Sequence, residues 1–483
     1  MSTAIVWFRR DLRLDDHPSL AEAAGAADRL LPVYAFDPRE FGEREYGGPR
    51  SFAYEKTGGH RARFLRESVA DLRERLRDRG SDLIVRHESP ETALEGLIET
   101  TDADTLFHQA LPTAEEQRVE RAVEAVCADH DVEVRSHWGH TLHHPGDLPR
   151  SPETIPDTFT PFRKEIEVDE VVREPIDPPD GLPGLPSDGI DPGEIPSLSA
   201  LGLDEPPEDE RAVLAFEGGE AAGRERLEAY LWEEDRLREY KRTRNGMLGA
   251  GYSSKLSPWL NLGCLSPRRV YAEVERYERE RVENDSTYWL VFELRWRDFF
   301  AFQFLRHGSQ QFRREGIRNR TDIEWREDRE AFERWCAGET GIPFVDANVR
   351  ELNLTGFMSN RGRQNVASFL AKNLRLDWRW GAAYFETRLV DYDPCSNYGN
   401  WAYVAGVGND SRDNYFDIVG QARRYDPDAE YVRTWLPELS SLPADAAHEP
   451  WAARELCSAY GVELGVDYPE PMLDLEASYE RLR

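Results

Sequence analysis

The sequence predicts two domains of different class: an α/β domain with a doubly wound parallel sheet, followed by an all-α domain. The first observation is the alternation of short apolar runs with helical stretches over residues 1–170. The second is a Pro-rich interval after them, and the third is a long C-terminal part with helical periodicity and no strand-type alternation of useful length. A chain of 483 residues is long enough for about two to four domains.

Five apolar runs with β-branched residues are the predicted strands of the N-terminal domain. A helical stretch at 60–79 lies between two of them, and right-handed crossovers of this kind make the sheet parallel. Ligands of such sheets bind beyond the carboxyl ends of the strands. The first turn reads FRRDLRLDDHPSL and has no GxGxxG, so an ordinary nicotinamide site is not indicated. The predicted strands are Ala4–Phe8, Leu30–Phe36, Leu83–Arg86, Thr105–His108 and Val132–Ser136.

Residues 175–207 contain nine prolines, which is the composition of an extended linker that wraps between domains. We therefore divide the chain into four parts. They are an α/β domain at 1–170, a linker at 171–212, a helical domain at 213–440 and a short acidic segment at 441–483.

The chain is strongly acidic, with 92 Asp+Glu against 61 Lys+Arg and a formal charge of −31. Only five of its basic residues are Lys, and this composition favours solubility in concentrated salt, as in a halophilic cytosol. Residues 241–424 are an exception, because 29 Lys+Arg and 25 Asp+Glu give them a net charge of +4. That segment either binds an anionic partner such as nucleic acid or is a buried core with little surface to acidify.

The five cysteines form no CxxC pair, which favours reduced thiols and argues against a zinc site. The N-terminus becomes charged within nine residues, and no apolar run of about 18 residues follows it anywhere in the chain. We expect a cytoplasmic protein without a bound metal or a membrane span.

One stretch of the helical domain, Tyr240–Pro267, has the composition of an anion-binding loop. Three glycines precede Ser253–Ser257, and hydroxyls, free backbone N–H groups and Lys255 suit a bound diphosphate. Pro258 is predicted in the first turn of a helix with Ser257 as its cap. An ordinary Gly-rich loop and helix cap is the alternative.

Two further stretches combine polar and aromatic side chains. Glu293, Trp296 and Arg297 share one helical face, where they could hold a flat ligand with polar edges. A Glu–Arg surface pair beside a core Trp is the alternative. Residues 341–416 place many Asn, Arg, Gln and Asp among Trp and Tyr, and a buried polar group without a partner costs about 1–3 kcal/mol. A ligand or a self-satisfied polar network would provide those partners.

Several long motifs in order resemble the photolyase/cryptochrome flavoproteins over roughly residues 3–440. They are FRRDLRLDDHPSL, SSKLSPWLNLGCLSP, FELRWRDFF, PFVDANVRELNLTGFMSNRGRQNVASFLAKNL and DWRWGAAYFETRLVDYDPCSNYGNW. The segments TFTPFRKEIE, YKRTRNGMLGAGYSSKLSPW, NYGNWAYVAGVGND and YVRTWLPEL are similar to the cryptochrome-DASH branch. The resemblance implies an N-terminal antenna domain and a helical domain that binds FAD.

Residues around the flavin follow from the same resemblance. Asp391 and Asp393 would line the flavin and ribose region, with Arg363 paired to Asp391. Asn397 matches the residue that faces flavin N5, where an amide accepts either protonation state and so supports FADH⁻ as the electron donor. Lys255 would add positive charge at the diphosphate. The remaining cofactor contacts implied are Tyr240, Ser253, Ser254, Leu256, Ser257 and Arg297.

Trp401, Trp378 and Trp325 match the chain of indoles through which an electron hops between flavin and surface in this family. Core packing is the alternative for any single Trp, most of all for Trp325. Trp380 would offer a branch of the chain or would only pack.

The substrate pocket implied by the resemblance takes a pyrimidine dimer that is flipped out of the base stack. Trp296 would stack on the flipped bases, and Glu293 would hydrogen-bond them and steady the radical anion. Gln364 and Tyr403 differ from the apolar residue and the Trp of duplex-repairing photolyases, and this more polar pocket favours single-stranded or looped DNA. Asn360 also matches a pocket position, and Arg361 matches a phosphate contact.

We therefore expect a monomeric, light-driven cyclobutane pyrimidine dimer photolyase of the cryptochrome-DASH type that acts on single-stranded DNA. A blue-light signalling flavoprotein that binds nucleic acid with little repair is the alternative. Repair of (6-4) photoproducts is a third option, but the region Ser359–Asn360 lacks the His pair on which it relies. Methenyltetrahydrofolate is the first choice of antenna chromophore and a deazaflavin the second, in the region of His108–Gln109 and residues 138–149.

Overall fold

The computed structural model describes residues 2–46, 52–186, 189–409 and 415–482. It confirms the predicted fold class, with a parallel sheet at the N-terminus and helices in the remainder. The strands are β1 Thr3–Trp7, β2 Arg29–Ala35, β3 Glu43–Tyr46, β4 Phe52–Glu55, β5 Ile84–Arg86, β6 Thr105–Gln109 and β7 Glu133–His137. The helices of the N-terminal part are α1 Pro18–Ala26, α2 Gly59–Arg77, α3 Pro90–Thr101, α4 Ala114–Asp129 and α5 Phe159–Ile166. Those that follow are α6 Glu220–Glu228, α7 Tyr240–Thr243, α8 Ser257–Asn261, α9 Pro267–Glu280, α10 Asp285–His307, α11 Arg329–Ala337, α12 Pro343–Thr355, α13 Asn360–Ser368, α14 Trp378–Arg388, α15 Pro394–Ala405, α16 Ile418–Tyr425, α17 Glu430–Trp435, α18 Ala444–His448, α19 Arg454–Ala459 and α20 Leu475–Glu480.

The main sheet has the order β5-β2-β1-β6-β7, and all its strand pairs are parallel. Each of the five predicted strands lies within one residue of its observed bounds. β1, β2 and β5 are buried apolar runs of the kind that parallel strands form, whereas β7, EVRSH, is a partly exposed edge strand. The antiparallel hairpin of β3 and β4 was not predicted. The sequence EREY of β3 has no apolar alternation that would have indicated a strand.

The Pro-rich segment runs along the α/β domain and contains little regular structure beyond a short turn at Ser199–Leu201. Its backbone continues the sheet locally, since Val85 N–H donates to the carbonyl oxygen of Pro192 at 2.8 Å. Gly193 follows with a φ of +70°, and a Cβ there would lie 2.3 Å from the carbonyl oxygen of Val85. Only glycine fits this close approach.

The first turn of the α/β domain, FRRDLRLDDHPSL, docks onto the helical domain. Asp15 pairs with Arg269 at 2.7 Å, and Asp16 pairs with Arg268 at 2.6 Å. Arg13 donates to the carbonyl oxygen of Gly263 at 2.9 Å. The turn that would hold a dinucleotide in a Rossmann domain is therefore part of the contact between the two halves of the chain.

The acidic segment at 441–483 packs into the helical core. Tyr468 donates to the buried carboxylate of Asp346 at 2.5 Å, and the Tyr479 hydroxyl accepts the backbone N–H of Ile418 at 3.0 Å. Leu475 is also buried there. Among the described residues, the structure contains no helix that is both long enough and apolar enough to cross a bilayer.

Candidate functional site

A cavity of two adjoining chambers lies between α8, α10, α13 and α15. The first chamber has a volume of about 1220 Å³ and the second about 1400 Å³, each including the space at its open mouth, and they share wall residues such as Glu293, Trp296 and Asp391. They are therefore one continuous space. Most residues named from the sequence line it: Tyr240, Ser253, Ser254, Lys255, Leu256, Ser257, Glu293, Trp296, Arg297, Asn360, Arg363, Gln364, Asp391, Asp393, Asn397, Trp401 and Tyr403. Arg361, Trp378 and Trp325 are not among the residues that line either chamber.

The serine-rich loop of the first chamber is held from behind by a buried arginine. Arg226 of α6 donates to the carbonyl oxygens of Ala250, Ser253 and Ser254 at 3.1, 3.2 and 2.9 Å. The backbone N–H groups of residues 253–256 have no acceptor within the described part of the chain. Tying back the carbonyls leaves these N–H groups for an anionic ligand. Sequence reasoning missed Arg226, because nothing distinguishes it in an Arg- and Glu-rich helix.

Lys255 is bonded inside this loop. Its Nζ donates to the carbonyl oxygens of Gly249 and Ala250 at 3.2 and 2.9 Å and lies 3.3 Å from the centre of the Tyr252 ring. Burial and the charge of Arg226 lower the pKa of Lys255 to about 7. Lys255 therefore stabilises the loop by bonding two of its carbonyl groups. In the predicted role, with its charge directed at the diphosphate, it would not have bonded these carbonyls.

Ser257 does not cap α8, as the sequence had suggested, but is the first residue of that helix. Its hydroxyl donates to Asp391 at 2.6 Å. Nη2 of Arg363 also donates to both carboxylate oxygens of Asp391, at 2.9 Å each. Pro258 does lie in the first turn. The N-cap position is occupied by Leu256, and the hydroxyl of Ser257 makes a charge-assisted hydrogen bond to the carboxylate instead.

Asp393 connects the cavity to the α/β domain. It is the N-cap of α15, where it accepts the backbone N–H of Ser396 at 2.7 Å, and it pairs with Arg10 at 2.9 Å. Burial alone would raise the pKa of Asp393, but Arg10 and His140 together lower it well below its usual value. The carboxylate is therefore ionised and fixes the start of the helix that carries Asn397.

The chain's own residues fit FAD. The side-chain N–H of Asn397 donates to the carbonyl oxygen of Ala382 at 2.9 Å, which leaves its carboxamide oxygen for a ligand N–H. The Tyr252 hydroxyl, Arg297 Nε and Trp401 Nε1 are buried in the wall and have no partner within the described residues. Free donors of this kind, with the free N–H groups of the loop, suit a ligand that combines a diphosphate with a polar-edged ring system.

Trp296 and Glu293 are held firmly in the second chamber. The Trp296 ring stacks on Phe159 with a centroid separation of 3.7 Å and an interplanar angle of 11°. Glu293 pairs with Arg244, whose guanidinium lies 4.5 Å from the centre of the Trp289 ring. Burial raises the pKa of Glu293, although Arg244 opposes the shift. The suggested Glu293–Arg297 surface pair is wrong.

Arg361 lies near the second chamber and has neutral partners. Its guanidinium donates to the amide oxygens of Gln364 at 2.8 Å, Gln421 at 3.3 Å and Asn245 at 3.2 Å. It also lies 4.5 Å from the ring centre of Tyr425. Since its hydrogen-bond acceptors among the described residues are all neutral amides, its charge remains for an anion such as a phosphate.

The three tryptophans expected to form the hopping chain differ in their surroundings. Trp401 is in the cavity wall, and its ring packs on Gly381, where a Cβ would lie 2.2 Å from Cη2. Trp378 donates from Nε1 to the carbonyl oxygen of Arg314 at 3.1 Å, and Arg314 donates to the carbonyl oxygen of Trp325 at 3.1 Å. Trp325 is the most exposed of the three, at 9% against 0% and 2%.

A third cavity of about 1110 Å³ lies at the carboxyl ends of β1 and β2, with one wall from the helical domain. Its aromatic walls include Trp7, Tyr34 and Phe36, and Lys56 and Arg61 provide charge. The region suggested from the sequence for an antenna does not line it. His108 is buried with its ring 5.6 Å from that of Trp7, and residues 142–143 are bonded to Asp298 of α10.

Comparison with known proteins identifies relatives for both halves of the chain. Residues 4–180 match the family model described as DNA photolyase, and residues 289–483 match the FAD binding domain of DNA photolyase. A cryptochrome DASH from Natronomonas pharaonis is 59% identical over 483 residues, which is all of both chains. One from Gloeobacter violaceus is 53% identical and covers 98% of this chain and 93% of its own.

Solved structures with a similar fold are also those of cryptochromes and photolyases. A cryptochrome from Synechocystis sp. has a TM-score of 0.95 and 48% identity, covering 100% of this chain and 99% of its own. A class III photolyase from Agrobacterium tumefaciens has a TM-score of 0.85 and 30% identity, covering 100% and 96%. A photolyase from Sulfolobus tokodaii, described with two FAD molecules and a novel light-harvesting cofactor, has a TM-score of 0.78 and 27% identity, covering 99% and 98%.

Proposed function

Because this chain belongs to the cryptochrome-DASH branch of the DNA photolyase and cryptochrome family, we propose that it is a light-driven cyclobutane pyrimidine dimer photolyase that acts on single-stranded DNA. One observation carries the proposal. The second chamber is lined both by Glu293 and Trp296, the residues proposed for the lesion, and by Asn397, proposed to face flavin N5, with Trp401, proposed for the hopping chain that leads from the flavin. Donor and acceptor sites therefore share one space.

When bound, excited and fully reduced, FAD supplies one electron to the lesion. The free N–H groups of residues 253–256 would hold its diphosphate, and the Arg363–Asp391 pair would fix the ribose side of the wall. Asn397 would accept the flavin N–H with its carboxamide oxygen. A bound flavin and a bound lesion would both lie against this fixed wall, so the electron would pass between groups of fixed position.

Two residue pairs prepare the lesion site before substrate arrives. Phe159 supports one face of Trp296, so the other side of the indole can stack on a base without moving. Arg244 holds the Glu293 carboxylate in place and neutralises it until it bonds the substrate. Rigid support of this kind lowers the entropy that binding would otherwise lose.

The preference for single-stranded DNA rests on the polar wall and on charge. Gln364 is held by Arg361 rather than being free to wedge into a duplex, and Tyr403 meets Trp296 edge-on at 6.4 Å. A pocket without an apolar wedge gains little from unstacking a duplex, whereas a single strand presents its bases at small cost. In a chain of charge −31, base stacking carries more of the affinity than phosphate contacts do.

We propose that the third cavity holds the antenna chromophore. Its aromatic walls and charged edges suit a flat heteroaromatic ring with polar substituents, with methenyltetrahydrofolate ahead of a deazaflavin. We also propose a monomeric protein of the cytoplasm.

The test is repair of thymine dimers in matched single- and double-stranded oligonucleotides by the chemically reduced protein under blue light. We expect faster repair of the single strand. Glu293→Gln should lower the repair yield about tenfold, the effect of losing one charge-assisted hydrogen bond of about 1.5 kcal/mol. Glu283→Gln, at an exposed position before α10, is the matched control. Absence of repair on both substrates would refute the enzyme and leave a light-signalling flavoprotein.

A further inference from the structure

A buried tyrosine lies beside the proposed hopping chain with a carboxylate bonded to its hydroxyl. Tyr398 of α15 is 4% exposed, and its ring centre is 6.2 Å from that of Trp378. Its hydroxyl donates to Oε2 of Glu386 on α14 at 3.0 Å. The phenol is therefore in contact with an electron carrier on one side and with a base on the other.

The carboxylate is connected to the surface by a row of charged groups. Oε1 of Glu386 is 3.8 Å from Nζ of the buried Lys56, which pairs with Glu115 at 2.6 Å and with Glu40 at 3.5 Å. The Glu115 side chain is 55% exposed. Burial raises the pKa of Glu386, while Lys56 and Arg61 oppose the shift. Glu386 is thus the buried end of a charged row in the wall of the third cavity, and Glu115 is its exposed end.

The three tryptophans of the proposed hopping chain have no such base among the described residues. Trp378 donates from Nε1 to a backbone carbonyl, and Nε1 of Trp401 and of Trp325 has no acceptor within the described residues. An oxidised indole here keeps its proton and its positive charge. A phenol becomes strongly acidic when it loses an electron, so its oxidation is favourable only where the proton can leave with the electron.

On the basis of the proposed function, we propose that Tyr398 is a redox residue. It takes over the hole, that is, the missing electron, from oxidised Trp378, and it passes its proton to Glu386. One electron moves from the phenol to the Trp378 radical cation. The phenol O–H bond breaks, and a new O–H bond forms on the carboxylate. The products are a neutral indole, a neutral tyrosyl radical and a carboxylic acid, so electrons, protons and charge balance. The hole is then stored as a neutral radical.

Two other buried tyrosines each have one of the two kinds of neighbour and lack the other. Tyr384 lies 5.4 Å from the ring of Trp335, but its hydroxyl bonds the neutral oxygens of Cys336 and Asn353. Tyr431 donates to Glu351 at 2.6 Å, but the ring it meets, 6.3 Å away, is that of Phe344. Tyr384 is therefore a matched control for packing, since it has an indole neighbour and no base.

The experiment is laser-flash absorption with parallel electron paramagnetic resonance on the flavin-loaded, oxidised protein. In wild type we expect a tryptophanyl radical followed by a tyrosyl radical, with the second step slower in D₂O. Tyr398→Phe should abolish the tyrosyl signal and leave a longer-lived tryptophanyl radical. Glu386→Gln keeps a hydrogen-bond acceptor but removes the base, and should slow tyrosyl formation on the order of 10²-fold. Tyr384→Phe should match wild type.

The possible results separate this inference from the function on which it rests. A tryptophanyl radical that decays without a tyrosyl signal, or a tyrosyl signal that persists in Tyr398→Phe, would overturn the role of Tyr398 alone. A tyrosyl signal that forms equally fast in Glu386→Gln would overturn the role of Glu386. Absence of any tryptophanyl radical would overturn the hopping chain and this inference with it, while dimer repair by chemically reduced wild type is measured independently.

Discussion

A buried histidine makes the stability of the helical domain depend on pH. His143 donates from Nδ1 to Asp298 at 2.9 Å and from Nε2 to Glu170 at 3.0 Å, and it is 2% exposed. Asp298 belongs to α10, the helix that carries Glu293, Trp296 and Arg297. The imidazolium therefore holds the segments before and after α5 against the helix that carries much of the site.

The size of the effect follows from the pKa shift. Burial alone would lower the pKa of His143, but the two carboxylates raise it from 6.5 to about 9. A pKa that is about 2.5 higher in the folded than in the unfolded protein corresponds to about 3 kcal/mol of folding free energy. Because the folded-state pKa is the higher one, this contribution is complete below pH 6.5 and is lost as the pH rises through 9.

The assay is urea unfolding of wild type and His143→Gln between pH 6 and pH 10. Gln is neutral throughout, so wild type should be more stable by about 3 kcal/mol near pH 6 and the difference should shrink toward pH 10. Groups that titrate in both proteins cancel in this difference. His144→Gln is the control, because burial lowers the pKa of His144 and so moves its titration away from the pH range in which His143 loses its proton. A difference for His143→Gln that stays constant with pH would refute the reasoning.

Three further substitutions test the site. Arg226→Met removes the three bonds that tie back the loop carbonyls and should weaken FAD binding about 10²-fold, measured as flavin retained on dilution; unchanged retention would contradict the loop's role. Gly381→Ala would press a methyl group into the Trp401 ring, and should lower the free energy of unfolding by about 1–3 kcal/mol and slow photoreduction. Arg363→Gln leaves a buried carboxylate without its cation and should cost about 3 kcal/mol in urea unfolding, whereas Arg329→Gln, in an exposed pair, should cost about 0–1 kcal/mol.

Local patterns were sufficient for most of the fold. The five sheet strands and helix α2 were predicted within two residues because their apolar periodicity is a property of short stretches. The hairpin of β3 and β4 and the packed position of residues 441–483 were missed. Both depend on contacts with distant parts of the chain, such as the bond from Tyr468 to Asp346.

The site was predicted mainly as a set of residues, and Arg363–Asp391 is the one pair of partners that was also predicted. The motifs identified Glu293, Trp296 and Lys255, since each lies in a contiguous segment that resembles the family. The supporting residues Arg226, Arg244 and Phe159 were not nominated. Arg244 and Phe159 lie in segments that resemble the family, but the sequence does not show which side chains they contact.

The sequence by itself determined the fold class, the flavin and the family, because these follow from periodicity and from motifs that are continuous along the chain. Only the tertiary structure decided that Lys255 bonds its own loop and that Tyr398 meets both Trp378 and Glu386. Hydrogen bonds and ion pairs act over about 3–4 Å, and the fold decides which side chains come within that distance. The sequence gives the residues that are present, whereas the fold determines which of them interact.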